Sequence, residues 1–186
     1  MFIQTEDTPN PNTMKFLPGQ DVLADKTAFF TDKENAAASP LALAMFELPS
    51  IRAIFYGSDF ITVTKAHDAM WEVLKPQILT TIMEHYTSGN PLMLEASAEK
   101  TGEAHTYSED EQEIVAQIKE LLETRVRPAV AQDGGDIVFH SFKEGIVHLE
   151  MHGSCSGCPS STATLKNGIE NMLKHYIPEV VAVEPV

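Results

Sequence analysis

Hydrophobic and polar side chains alternate in four short segments of the first half of the chain, and this period of two predicts β-strands. The segments are residues 2–5, 13–17, 51–56 and 60–65. A turn-rich stretch of Thr, Pro and Asn separates the first two, and Gly57-Ser58-Asp59 separates the last two. With the two helices described next, the predicted element order of this half is ββαββα.

Two helices are predicted between and after these strands. Ser39 followed by Pro40 is typical of a helix start, with the hydroxyl as N-cap and proline at the first helical position. Asp68 is predicted to cap the second helix, which Pro76 kinks or restarts. The two helices are expected over residues 40–47 and 69–86.

The second half predicts the order αββαβ. Ser108 and Glu111 form a capping box, which predicts that a helix starts directly after Ser108. Pro128 is expected to bend or end this helix. A glycine-rich turn at 133–136 follows. The helices are expected over residues 109–126 and 162–176, and the strands over residues 137–142, 146–152 and 179–184.

Charge locates a connector between the two halves. Residues 95–113 contain seven acidic residues and one basic residue, without apolar periodicity before Ile114. Such a self-repelling stretch is typical of a flexible linker. The chain is therefore expected to fold as two small α+β domains, at residues 1–90 and 108–186, joined by an acidic flexible linker at 91–107.

Composition narrows the class of protein. The chain has 186 residues, of which 43% are hydrophobic and 22% are charged, as in an ordinary folded globular protein. Its formal net charge of -14 makes nucleic acid and anionic membranes unfavourable partners. Residues 1–19 show neither a secretory signal nor an Arg-rich transit peptide. We therefore expect a cytoplasmic protein or an already processed organellar one, with no membrane partner.

The chemistry-bearing residues are two cysteines, Cys155 and Cys158, on a glycine- and serine-rich loop between a predicted strand and a predicted helix. The helix N-terminus favours negative charge, so we expect lowered thiol pKa values and two thiolates that point outward. This spacing is used by redox disulfides, zinc sites and iron–sulfur sites. The alternative without chemistry is a pair of inert core cysteines.

Two thiolates are half of the four ligands that zinc or an iron–sulfur cluster normally takes. Either two chains share one site, or histidines complete it. His148 and His152 flank Glu150 on one face of a predicted strand, a pattern that could bind metal but is more typical of a solvated sheet face. A dimer bridged by one cluster is the more economical solution.

Two further features are weaker. Asp133 and Asp136 bracket two glycines, and turn formation explains them better than a role near the cysteines. The first half contains no cysteine, so it is expected to serve recognition or support.

Four segments of the chain carry a resemblance to a known family. Residues 125–136 and 153–161 look like the C-terminal domain of the NifU-like (Nfu) iron–sulfur proteins. Residues 8–16 and 57–65 are similar to the Nfu N-terminal domain. The cysteine loop is the most specific part of the match.

The resemblance implies that Cys155 and Cys158 of two subunits ligate a bridging 4Fe-4S cluster. The protein would receive this cluster from upstream assembly machinery and pass it to apo-proteins, as a scaffold or carrier without turnover chemistry. Its location would be the bacterial cytoplasm, or the mitochondrial matrix for a processed organellar form. A thiol-disulfide redox protein and a zinc-bridged structural dimer remain open as alternatives.

Overall fold

A computed structural model describes residues 1–24, 26–94 and 106–186, with the side chain of residue 161 left out. The chain divides into two compact units, Met1–Glu99 and Lys100–Val186, and each is described by itself. Residues 95–105 of the predicted linker lie outside the described residues. Both units combine helices with a sheet, so the α+β class is confirmed.

The first unit is an antiparallel sheet packed on helices. Its sheet has the strand order β1-β2-β5-β4-β3. The strands are β1 (Gln4–Asp7), β2 (Thr13–Leu17), β3 (Ala28–Phe30), β4 (Ile51–Tyr56) and β5 (Ile61–Lys65). The helices are α1 (Lys33–Ala36), α2 (Pro40–Phe46) and α3 (Trp71–Ser88).

The predicted start of α2 is confirmed. The Ser39 hydroxyl accepts a hydrogen bond from the backbone N–H of Ala42 at 3.2 Å and lies 2.9 Å from the hydroxyl of Tyr56. Strand β3 and helix α1 were not predicted, since three and four residues are too few to show a period.

The predicted start of α3 was wrong. The helix begins at Trp71, after Met70 as N-cap, rather than after Asp68, and it continues through Pro76 rather than restarting there. Pro76 lies on the exposed side, as does Glu72, whose carbonyl loses its helical donor there. Water can therefore solvate that carbonyl, which makes the interior proline tolerable.

The second unit is a three-stranded sheet covered by two long helical segments. The sheet order is β6-β7-β8, with β6 and β7 antiparallel and β7 and β8 parallel. The strands are β6 (Gly135–Lys143), β7 (Ile146–Gly153) and β8 (Ala182–Pro185). The helices are α4 (Glu109–Leu121), a π-helical turn (Leu122–Val126), α5 (Arg127–Gln132) and α6 (Pro159–Tyr176). The predicted order αββαβ is confirmed if α4, the π-turn and α5 count as one helical run.

The first helical run of this unit does not end near Val126 as expected. Pro128 lies in the first turn of α5, directly after the π-turn, and the helical run continues through it. Four buried residues follow one another at intervals of four, namely Ile118, Leu122, Val126 and Val130. An α-helix has 3.6 residues per turn, so side chains four residues apart gradually move around its surface and away from the core. The π-turn has more residues per turn, and it brings the later side chains back to face the core.

Candidate functional site

The cysteines lie in a short loop, residues 154–158, between Gly153 at the end of β7 and Pro159 at the start of α6. Gly153 and Gly157 have φ angles of 63° and 77°, in the left-handed region that favours glycine. These two positions turn the chain sharply at either end of the loop. The structure therefore places both Cys155 and Cys158 on the strand-to-helix loop that the sequence predicts.

Hydrogen bonds fasten the loop to the turn before β6 and to α6. The Ser154 hydroxyl donates to the carbonyl of Asp133 at 2.6 Å, and the Ser154 N–H donates to the carbonyl of Gly134 at 3.2 Å. On the other side, the Thr162 hydroxyl donates to the carbonyl of Cys155 at 3.1 Å. Both sides of Cys155 are thus anchored.

Cys155 belongs to the hydrophobic core of the second unit and is only 5% exposed. Burial raises the pKa of its thiol to about 11; the Ser154 hydrogen bond opposes this, and the carboxylates of Asp133 and Asp136 add to it. The expectation of an outward-pointing thiol with a lowered pKa is therefore wrong for Cys155. The loop composition suggested exposure, but the chain folds this residue inward.

Gly135, the first residue of β6, makes room for the Cys155 sulfur. A Cβ atom placed on Gly135 would overlap Sγ of Cys155 and would lie 3.0 Å from the carbonyl oxygen of His152. Gly135 also pairs with Gly153 in the sheet register. The sequence predicted Gly135 only as part of a turn. The one sequence feature that could have indicated its packing role is the Gly134-Gly135 doublet.

Cys158 has a different environment. It is half-buried and occupies the N-cap of α6, a helix of 18 residues with Pro159 at its first turn. Its sulfur lies 3.5 Å from the Ser160 hydroxyl, and its carbonyl accepts from the Thr162 N–H at 2.9 Å. Both cysteines are thiols rather than a disulfide. The loop therefore presents one partly accessible sulfur at a helix N-terminus and keeps the other inside.

Asp136 is a strand residue with an ionic partner, not a turn former. Its carboxylate is 5% exposed and accepts two hydrogen bonds from Arg127, at 2.8 Å from Nε and 2.9 Å from Nη2. These bonds raise the pKa of the Arg127 guanidinium, which also binds Glu123 at 2.8 Å. Asp133 contributes its backbone carbonyl to the loop. Sequence reasoning missed the Arg127–Asp136 pair, because helix α5 and the turn after it separate the two residues.

Val147, Leu149 and Met151 fill the buried alternate positions of β7, as expected. The expected solvated face is only partly observed, because Glu150 is exposed whereas the side chain of His152 is only 14% exposed. His152 Nε2 lies 3.7 Å from a carboxylate oxygen of Glu150, and burial lowers the pKa of His152. Within the described ranges, no group of three or more His, Cys, Asp or Glu residues is placed to hold a metal ion.

Fold and site together define a class: a two-unit α+β protein whose second unit carries one CxxC thiol pair at a strand-to-helix loop. Comparisons with known proteins make this more specific. Residues 3–89 match the family model for the N-terminal domain of scaffold protein Nfu/NifU, and residues 118–184 match the NifU-like domain.

Similarity to relatives extends over the whole chain. It is 52% identical over 187 residues to the human NFU1 iron-sulfur cluster scaffold homolog, mitochondrial, covering all of this chain and 72% of that protein. It is 52% identical over 186 residues to NifU-like protein 5, mitochondrial, of Arabidopsis thaliana, covering 99% of this chain and 67% of that one. The Drosophila persimilis NFU1 homolog is 51% identical over 187 residues, with coverages of 100% and 65%. The chain belongs to the Nfu family, and it spans about two thirds of the length of these relatives.

Proposed function

We propose that this protein is an iron–sulfur cluster carrier in which Cys155 and Cys158 of two copies hold a bridging 4Fe-4S cluster. The observation that carries the proposal is that the chain's only two cysteines lie on one loop at a helix N-terminus. A cuboidal cluster takes four thiolates, so two such loops make one complete site. The protein is then a homodimer when it is loaded.

The surroundings of the loop suit a negatively charged cargo that must leave again. The free N–H groups and dipole at the start of α6 favour the anionic cluster. Cys158 is half-buried, so an incoming thiolate can approach the bound iron there. Cys155 belongs to the hydrophobic core in the observed conformation, so bringing its sulfur to the cluster costs the contacts that it makes there, and the second ligand is held less firmly. Together these features favour transfer over permanent storage.

The names of the relatives support the role in the cell. The human and Drosophila proteins are named as mitochondrial iron-sulfur cluster scaffold homologs. By analogy, this protein receives clusters from upstream assembly machinery and delivers them to apo-proteins, with no turnover chemistry of its own. The same names favour a mitochondrial location over the bacterial cytoplasm, and we propose the matrix for this protein. In the described part of the chain, no helix is both long and apolar enough to cross a membrane.

The first unit has a supporting part in this proposal. It has no cysteine, and its buried side chains serve its own sheet and helices. We assign it to recognition of client or donor proteins. Deletion of residues 1–90 would then slow transfer to at least one client while leaving the iron content of the loaded dimer unchanged.

Anaerobic reconstitution of the full chain with iron and sulfide tests the function. We expect a broad visible charge-transfer band and about four irons per dimer. Cys158→Ser and Cys155→Ser should each abolish both signals, whereas Ser156→Ala, a control between the two cysteines, should keep them. Circular dichroism checks that each variant is folded.

Two results would overturn the carrier. A colourless dimer that retains zinc would make the loop a structural metal site. A monomer that cycles between dithiol and disulfide, without binding iron, would make it a redox protein.

A further inference from the structure

The two cysteines of the loop are unequally accessible. We propose that they bind the cluster in a fixed order, Cys158 first and Cys155 second, and that hydrogen bonds made by Ser154 and Thr162 hold Cys155 back until the loop opens. This order rests on the proposed carrier function and assigns a positioning role to two residues outside the CxxC pair.

Cys158 can meet a donor without rearrangement. It is half-buried at the N-cap of α6, and its sulfur lies beside the hydroxyl of Ser160, which is exposed. A cluster presented by a donor protein can approach this end of the helix directly.

Cys155 cannot do so in the observed conformation. The residue is 5% exposed, and its sulfur packs so closely on Gly135 that an added Cβ atom there would overlap it. An iron atom has no room between these two residues. For the Cys155 sulfur to reach a cluster at the surface, the loop must move outward.

The bonds that oppose this movement flank Cys155. Ser154 donates to the Asp133 carbonyl at 2.6 Å, and Thr162 donates to the Cys155 carbonyl at 3.1 Å. Gly153 and Gly157, with positive φ, lie at the two ends of the segment that must swing. Glycine at both ends allows the backbone change that opening requires.

Each binding step is a ligand exchange without oxidation. The Cys158 thiol releases its proton to solvent, and its sulfur forms a bond to one iron. A thiolate of the donor protein leaves that iron and takes up a proton. Cys155 repeats the exchange at a second iron after Ser154 and Thr162 release the loop.

Alkylation of the apo-protein by N-ethylmaleimide under reducing conditions measures the accessibility of each thiol, with peptide mass spectrometry to follow both cysteines. We expect Cys158 to react at least about tenfold faster than Cys155, because Cys155 is buried, and its raised pKa leaves little reactive thiolate until the loop opens. In guanidinium chloride the two rates should become similar.

Variants then identify what holds the loop. Thr162→Val and Ser154→Ala should each raise the alkylation rate of Cys155 by about threefold to tenfold, as expected for one lost hydrogen bond, and leave Cys158 unchanged. Thr164→Val is the matched control, because its hydroxyl donates to the carbonyl of Ser160 at 3.0 Å and not to the loop. It should change neither rate.

The outcomes separate this inference from the carrier function. Equal alkylation rates in the folded wild-type protein, or a Cys155 rate that Thr162→Val and Ser154→Ala do not change, would overturn the order and the positioning role alone. A protein that binds no iron on reconstitution would overturn the carrier function, and the order with it.

Discussion

The buried polar side chains are distributed differently in the two units. In the first unit these groups are spread over the fold: Ser39 caps α2 and meets Tyr56, while the ammonium of Lys15 lies 4.7 Å above the ring of Phe60. In the second unit, the buried Ser154 lies in the cysteine loop, and the buried Asp136 pairs with His152 on the strand that leads into it. Burying a polar group costs free energy unless it is well paired. In the second unit this free-energy cost therefore falls close to the cysteines, whereas in the first unit it is spread over the fold.

The largest expected effect tests the buried ion pair of the second unit. Arg127→Met keeps the length of the side chain but leaves the buried Asp136 carboxylate without its partner. We expect the free energy of unfolding to fall by about 3 kcal/mol. Circular dichroism during urea denaturation measures this loss.

The first unit supplies the control. Lys33 and Glu47 also approach to 2.8 Å, but their side chains are 57% and 71% exposed. Lys33→Met should therefore change the stability by no more than about 0.5 kcal/mol. Trp71, the only tryptophan of the chain, reports the unfolding of the first unit by fluorescence. If Arg127→Met shifted the Trp71 transition as far as the circular dichroism transition, the two units would be coupled and the comparison would fail.

A smaller effect is expected at the glycine that accommodates the Cys155 sulfur. In Gly135→Ala the new methyl group overlaps Sγ of Cys155, and backbone atoms lie 3.0 Å and 3.1 Å away, so the loop must shift. We expect a loss of about 2 kcal/mol, as for other overpacked cores. The measurement is again urea denaturation followed by circular dichroism.

Gly168→Ala is the matched control for that substitution. Among the described residues, a Cβ at Gly168 in α6 would meet open space. Alanine should stabilise this helix position by about 0.5 to 1 kcal/mol. Equal effects of the two substitutions would show that Gly135 is not a packing constraint on the loop.

The contrast between the units also explains what could be predicted from sequence. Strand β2 and the N-cap Ser39 depend on neighbouring residues, and both were predicted at the observed positions. The position of the cysteine loop was predictable for the same reason. The burial of Cys155 was not, because it depends on the contact with Gly135 and on the bond from Ser154 to Asp133, 21 residues away. The π-turn was missed because its cause is the packing of four side chains on a sheet that follows later in the chain.

The smallest expected effect is a pH dependence confined to the first unit. His85 on α3 is 7% exposed, and its Nε2 has no hydrogen-bond partner among the described residues. Burial lowers the pKa of His85 from 6.5, with partial opposition from a backbone hydrogen bond at Asn90. The unfolded chain therefore binds a proton more readily than the folded one. The stability that neutral His85 contributes is present above pH 6.5 and is lost as the pH falls below that value.

Urea denaturation followed by Trp71 fluorescence at pH 7.5, 6.5 and 5.5 measures this loss. We expect the free energy of unfolding to change with pH by less than about 1.4 kcal/mol per pH unit, which is the limit for one proton. His85→Leu should remove the contribution of this proton to the pH dependence of the unfolding free energy, since leucine cannot titrate. His67→Leu is the control, because His67 is exposed in the same unit. If His67→Leu flattened the slope as much as His85→Leu, burial of His85 would not be the cause, and the first unit would lack the buried titrating group assigned to it.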